Sequence, residues 1–358
     1  MGEDQGEGKQ NYVKGRGAQV QPENRFREWQ VVTEHIEGLD EPLITRPKTQ
    51  VTLEHPKTIV NPVTSPDIGI AYSLNPYQGC EHGCSYCYAR NSHEYYGFSA
   101  GLDFETKLMA KPDAPKLLEK HLLNPNWKAA PISLSGNTDC YQPLEKEMEI
   151  TRKLLKVFSK YRHPVGLITK NSLIQRDLDL LQDLAKDRLA QVYISITSLD
   201  EDLRRKMEPR TASAAKRLQV IENLSQAGIP VAVMTAPIIP GLNDQEIPSI
   251  LKAASDHGAL SAAMTVIRLN GRVSEIFKDW LQKNYPNRYA KVIHQIEDLH
   301  GGKVNDNQFG RRMKGEGIWA NMIQQLFKKS KNRYYSEKSM PEFDLTQFRK
   351  GGNFRLEF

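Results

Sequence analysis

The chain has 358 residues, enough for one large domain or two ordinary ones and for a sizeable buried core. A hydrophobic fraction of 39% and a mean hydropathy of −0.58 point to polar tails around a folded centre, and no apolar run reaches the length of about 18 residues that a membrane-spanning helix needs. The formal net charge is +6, and its whole excess lies in residues 301–358, where twelve Lys and Arg stand against six Asp and Glu.

Residues 1–30 are rich in Gly, Gln and charge and read as a flexible leader. Within it, Lys14-Gly15-Arg16-Gly17 can touch phosphates. The opening Met1-Gly2-Glu3-Asp4-Gln5 lacks the pattern of a signal peptide. We expect a cytoplasmic protein with no membrane partner. Residues 31–67 hold scattered aromatics and prolines and read as an irregular extension, with one strand over 50–53.

The ordered centre begins near Ile68. A short strand over 70–75 is stopped by Pro76. Next comes Gly79-Cys80-Glu81-His82-Gly83-Cys84-Ser85-Tyr86-Cys87-Tyr88, which carries three of the four cysteines. Thiolates ligate soft metals and hold iron–sulfur clusters. Three close cysteines can hold three irons of a [4Fe–4S] cube, which leaves the fourth iron for a small molecule. The two glycines suit a tight loop, and Tyr86 can pack an aromatic face beside a cluster-bound ligand. Zinc would need a fourth ligand from His82, His93 or the distant Cys140. A disulfide framework lacks a secretory context.

After a helix over 88–96, strands and helices alternate. Strands fall over 132–135, 165–169, 191–195, 229–234 and 262–268. Helices fall over 144–161, 173–186, 214–227, 244–257 and 273–283, the fourth capped by Asn243 or Asp244. Six strands, each followed by a helix, imply βαβ units and a parallel sheet. The class is α/β, and the count fits a partial barrel as well as a doubly wound sheet. In either, ligands sit at the C-terminal strand ends, where the cysteine loop lies. The centre is bounded as 68–285. Residues 286–358 form a basic extension with helices over 288–299 and 317–329 and aromatics at 343, 348, 354 and 358 that can pack back as a lid. Such an end can attract nucleic acid or another polyanion, or be a solvated tail.

The Cys-x3-Cys-x2-Cys spacing with an aromatic before the last cysteine resembles the signature of the radical S-adenosylmethionine (radical SAM) superfamily. The resemblance implies a partial, TIM-like (β/α)6 barrel with N-terminal and helical or irregular C-terminal extensions. It implies one [4Fe–4S] cluster on Cys80, Cys84 and Cys87, S-adenosylmethionine as second cofactor, its reductive cleavage to a 5′-deoxyadenosyl radical, and a reductant such as flavodoxin or ferredoxin. Absence of a second cysteine cluster argues against an auxiliary centre.

Mapped onto the strand ends, the resemblance gives roles to particular residues. Asn137, Thr138 and Asp139 stand where the family binds the amino group of the cofactor, although its Gly-Gly-Glu form is absent. Lys170 can meet a carboxylate or the substrate. Ser195 and Thr197 can bond a ribose, and Arg210 can grip the methionine carboxylate, unless Glu208 and Arg210 pair with each other. Ile239, Gly241 and Asp244 align with an adenine-supporting motif in which Pro237 replaces the first glycine, and 266–269 can offer an apolar wall. Asn137-Thr138-Asp139, Glu208-Pro209-Arg210-Thr211 and Ala236-Pro237-Ile238 resemble the branch related to spore photoproduct lyase. That lyase uses a second-strand cysteine to return a hydrogen atom. The matching strand here has none, which argues against photoproduct lyase activity. Cys140 lies just beyond it, a hydrogen donor, a radical cap or a plain buried thiol. The substrate is expected to be a nucleic acid or a protein, with a small molecule also compatible. From another class, a non-catalytic iron–sulfur or zinc protein that binds nucleic acid fits the same features.

Overall fold

The computed structural model describes residues 13–26 and 48–352. Within them the strands are β1 (Gln50–Leu53), β2 (Val60–Pro62), β3 (Tyr72–Leu74), β4 (Tyr77–Gln78), β5 (Lys107–Ala110), β6 (Ile132–Leu134), β7 (Val165–Thr169), β8 (Ala190–Ser195), β9 (Val231–Ile238) and β10 (Ser261–Val266). The helices are α1 (Leu102–Thr106), α2 (Ala114–Leu122), α3 (Glu145–Met148), α4 (Ile150–Tyr161), α5 (Leu178–Lys186), α6 (Glu201–Met207), α7 (Ala214–Gln226), α8 (Ile247–Asp256), α9 (Val273–Asn284), α10 (Tyr289–Leu299) and α11 (Gly317–Tyr335). None of these helices is long and apolar enough to cross a membrane.

One sheet runs β10-β9-β8-β7-β6-β3-β2. Its first six strands pair in parallel throughout, and β2 joins the edge antiparallel to β3. The six parallel strands with their helices form the partial (β/α)6 barrel. Burial explains why these segments fold as they do. Val165, Leu167, Val192 and Ile194 alternate into the core, while α4 buries Ile150, Leu154, Leu155, Phe158 and Tyr161 along one face. Burying such side chains stabilises by about 1.5–3 kcal/mol each.

Several elements depart from the sequence reading. A second sheet, β1-β5-β4, stands beside the barrel, and of its strands only β1 is legible as a strand. The helix expected over 144–161 breaks at Glu149, whose φ of 51° and ψ of 30° are left-handed. The stretches 88–96 and 172–177 are 3-10 rather than α. The helix expected from 244 starts at Ile247, and Asn243 is not its side-chain cap. Its side chain turns inward, accepting from the Ile239 amide (2.6 Å) and donating to the Thr197 carbonyl (2.7 Å).

The extensions fold onto the barrel where they are described. Residues 13–26, read as leader, include buried Arg16, Ala18 and Asn24. At the other end Phe348 packs edge-on against His163 at 5.1 Å. The rest of the leader, residues 27–47 and the aromatics at 354 and 358 lie outside the described residues.

Candidate active site

The chain leaves β3, makes β4 and enters the cysteine loop at Gly79 (φ 76°). The loop is held from many directions. The Cys80 amide donates to Phe104 O (2.8 Å) and the Ser85 amide to Met207 O (3.0 Å). Gln142 grips the Glu81 amide (3.0 Å) and the Gly79 carbonyl (3.1 Å), and Arg90 Nε donates to Cys84 O (2.9 Å). Gly83 (φ 67°) has no room for a side chain, because a Cβ would stand 2.8 Å from Glu105 Oε2.

Held this way, Cys80, Cys84 and Cys87 line one cavity of about 140 Å³ with His82 and Tyr88. The opposite wall comes from the ends of successive parallel strands. Asn137, Thr138 and Asp139 follow β6, Thr169 ends β7 with Lys170 next in the chain, and Ser195 ends β8. Ser135, which also lines the cavity, has a φ of 81° and takes the Cys140 amide on its Oγ (2.7 Å). Such left-handed strain in a non-glycine residue gathers at functional sites.

Burial pushes the thiols of Cys80, Cys84 and Cys87 upward. Metal coordination reverses that, since a ligating thiol is deprotonated. All four cysteines are free, so the disulfide framework is absent. Among the described residues no three His, Cys, Asp or Glu side chains converge on a single ion position, as a mononuclear zinc site requires. Thiols arrayed around a cavity suit a cube, in which each cysteine binds a different iron. The donor set fits an iron–sulfur cluster.

The expected cofactor residues divide into two groups. Asp139 faces the cavity with both oxygens engaged. Thr169 Oγ1 donates to one (2.7 Å), and the Lys170 amide donates to the other (2.8 Å), which also lies 3.3 Å from His82 Nδ1. Burial pushes its carboxyl up, but His82 and these bonds outweigh it and hold it at about 2. The Asn137 amide group donates to Gln78 and Ser92 (3.0 Å each), and Thr138 Oγ1 to Tyr77 O (2.8 Å). Lys170 reaches the cavity too; burial opposes its charge, but Glu208 and Cys84 keep the ammonium above its ordinary value.

The remaining expected residues stand off the cavity lining. Tyr86 lies outside that lining and its hydroxyl donates to Glu208, as does Thr197 Oγ1 (2.8 Å). Glu208 pairs with Arg217 (2.5 Å), not with Arg210. Arg210 instead meets Glu81 inside the cysteine loop (3.1 Å). Ile239 is fully buried among Val292, Ile296 and Phe277, and Gly241 sits under α10, where a Cβ would meet Gln295 Oε1 at 2.7 Å. Cys140 is fully buried.

His82, weighed only as a zinc ligand, Tyr88 and Gln142 are contributors to which spacing gave no part in the cofactor site. The first two sit within or beside the cysteine motif, which is the one signal that could have found them. The place of Gln142 depends on folding alone.

A family model described as the radical SAM superfamily matches residues 74–254. An uncharacterized protein of Mycobacterium tuberculosis (strain ATCC 25618 / H37Rv) is 31% identical over 229 residues, covering 63% of this chain and 67% of its own. One from Methanocaldococcus jannaschii is 29% identical over 240 residues, covering 67% and 85%. Among solved structures, spore photoproduct lyase complexed with dinucleoside spore photoproduct superposes with a TM-score of 0.59 at 13% identity, over 80% of this chain and 79% of that one. A form with bound AdoMet and the dinucleoside gives 0.59 at 14%. At such identity the likeness concerns the fold.

Proposed function

The chain belongs to the radical SAM superfamily and is an enzyme of it, and from that premise we propose that it holds one [4Fe–4S] cluster on Cys80, Cys84 and Cys87 and cleaves S-adenosylmethionine. The observation that carries the reading is the meeting of three thiols from one loop with the polar ends of three successive parallel strands around one cavity. When bound, the cluster supplies the electron that breaks a carbon–sulfur bond of the cofactor and yields a 5′-deoxyadenosyl radical.

The protein binds, orients and excludes water. Asp139, ionised and fixed by Thr169 and the Lys170 amide, would receive an ammonium group. The Lys170 side chain offers a positive charge to a carboxylate, and Ser195 a hydroxyl to a ribose. Asn137 and Thr138 hold the turn that presents Asp139. Thr197, Tyr86 and Arg210 act through the scaffold, the first two on Glu208 and the third on the loop's Glu81. Ile239 and Gly241 shape the loop under α10, and Cys140 is a buried thiol.

For the substrate we propose a nucleic acid. The basic excess of 301–358 supports this, with Lys314, Lys328, Lys329 and Arg333 exposed. So does the shared fold with a lyase solved bound to a dinucleoside photoproduct. A flavodoxin or ferredoxin would supply electrons, and a cytoplasmic location suits the free thiols.

The test is anaerobic. The reconstituted, reduced protein is mixed with S-adenosylmethionine, and 5′-deoxyadenosine is sought by chromatography beside a Cys84→Ala control. Product that vanishes in the control is the expected result. A site that takes up zinc but no iron would sink the reading. A full, reducible cluster that yields no product would favour a binding protein.

A further inference from the structure

The face of the cysteine loop turned away from the cavity is covered by a segment from far upstream in the chain. We propose that Arg16-Gly17-Ala18 is a positioning clasp that keeps the loop in its thiol-presenting form, so that cluster retention depends on it. The cluster half of this inference rests on the function proposed above.

Contact between the two segments is backbone on backbone. A Cβ on Gly17 would lie 1.6 Å from Gly83 O and 3.2 Å from the Ser85 amide nitrogen. Neither is the end of a flexible side chain, so only glycine allows the approach. Glu105 locks it. Its Oε2 accepts from the Gly17 amide (3.2 Å), its Oε1 from the Ala18 amide (2.8 Å), and its carbonyl from Arg16 Nη1 (2.8 Å). The same carboxylate pairs with Arg90 at 2.5 Å, with both side chains fully buried. Arg90 in turn holds the Cys84 carbonyl. A second arm runs from Arg16 through Thr49 (3.5 Å) to Glu81 Oε1 (2.9 Å), next to Cys80. Both arms therefore end beside a thiol that lines the cavity. A segment that merely covered apolar surface would need neither arm. Ala18 alone, packed with Ala100 and Ile276, would serve.

The full chain carrying Gly17→Ala is compared with the parent and with Gly69→Ala, a site with open space around it. Two readouts separate the clasp from the cluster. In the metal-free protein, amide hydrogen exchange across 79–87 is expected to quicken in Gly17→Ala while α4 and α7 keep parent rates. After anaerobic reconstitution with ferrous iron and sulfide, iron affinity is expected to fall roughly ten-fold, the lower end for loss of an outer partner of a metal site. The cluster's midpoint potential is expected to move with its solvent exposure. Arg16→Gln, which leaves the glycine contact intact, is expected to give a smaller change in the same direction. Exchange at the parent rate in Gly17→Ala overturns the clasp. So does quickened exchange with iron affinity and potential unchanged, for the segment then only packs. A parent chain that takes up no iron overturns the cluster reading, and the exchange result alone then decides the clasp.

Discussion

Glu208 gathers the acceptor work of the barrel interior, taking hydrogen bonds from Tyr86 and Thr197 and an ion pair from Arg217, all buried. Removing one partner of a buried pair leaves the other charge unmet. Glu208→Gln is therefore expected to cost about 3–5 kcal/mol in urea unfolding. A loss below about 1 kcal/mol, the range of exposed pairs, would show the network to be solvated. The same carboxyl sets a pH dependence. Burial pushes it up, but Arg217, Lys170 and Tyr86 outweigh this and hold it at about 2, below the ~4.3 of an unfolded glutamate. Its contribution is fully present above that value and drains away as pH falls toward about 2. The parent should lose stability across this window with a steeper slope than Glu208→Gln. At this scale the cysteines were legible, because ligand spacing is local. The partner of Tyr86 was not, since Glu208 lies 122 residues on and only the fold joins them. The partner of Arg210 was hidden for the same reason. A guanidinium matches any carboxylate, and the one it meets here belongs to Glu81.

Helix α6 links a cap to the site. Asp200 Oδ1 accepts from the amides of Asp202 (2.9 Å) and Leu203 (3.2 Å), and Met207, at the other end, gives its carbonyl to Ser85 of the cysteine loop. Asp200→Ala is expected to cost about 1 kcal/mol and to speed exchange of the Ser85 amide, while Asp200→Asn stays within a few tenths. Equal effects of Ala and Asn would show that the side chain does not cap. The sequence reading missed α6 because it has seven residues, too few for a periodic stripe to stand out. It found β7, β8 and α7, where buried positions recur at the strand or helix period. It missed β5, four residues directly after α1 with no turn between them. Glu149 could not be foreseen either, since its left-handed turn falls at a residue with no preference for that conformation.

Across the whole molecule, a stretch of the C-terminal extension spans the barrel's open seam. Its Met313 carbonyl accepts from the Val266 amide at the end of edge strand β10 (3.1 Å). Beyond the other edge strand, β2, Asp67 takes the Gly310 amide (2.6 Å) and Arg312 (2.5 Å). Part of the basic charge is thus committed internally, while Lys328 and Lys329 stay exposed on α11. If nucleic acid binds there, the logarithm of oligonucleotide affinity should fall linearly with the logarithm of salt concentration. Replacing both lysines with alanine should reduce the slope by roughly one unit per lost phosphate contact. Affinity indifferent to salt would sink the substrate proposal. The six βα units were legible as a count of alternating elements and the resemblance chose a barrel over a doubly wound sheet, whereas the second sheet and the seam-spanning stretch arise from contacts that no local pattern records. The many-sided hold on the cysteine loop also has a consequence in time. Phe104, Gln142, Met207 and Arg210 all follow the loop in the chain, so none has emerged when the thiols leave the ribosome. At about 5–20 residues per second, the nascent thiols stand open for roughly ten seconds before their last anchors are made. In that interval they are open to oxidants, so if they hold the proposed cluster, oxidation during synthesis would lower the share of chains able to take it up.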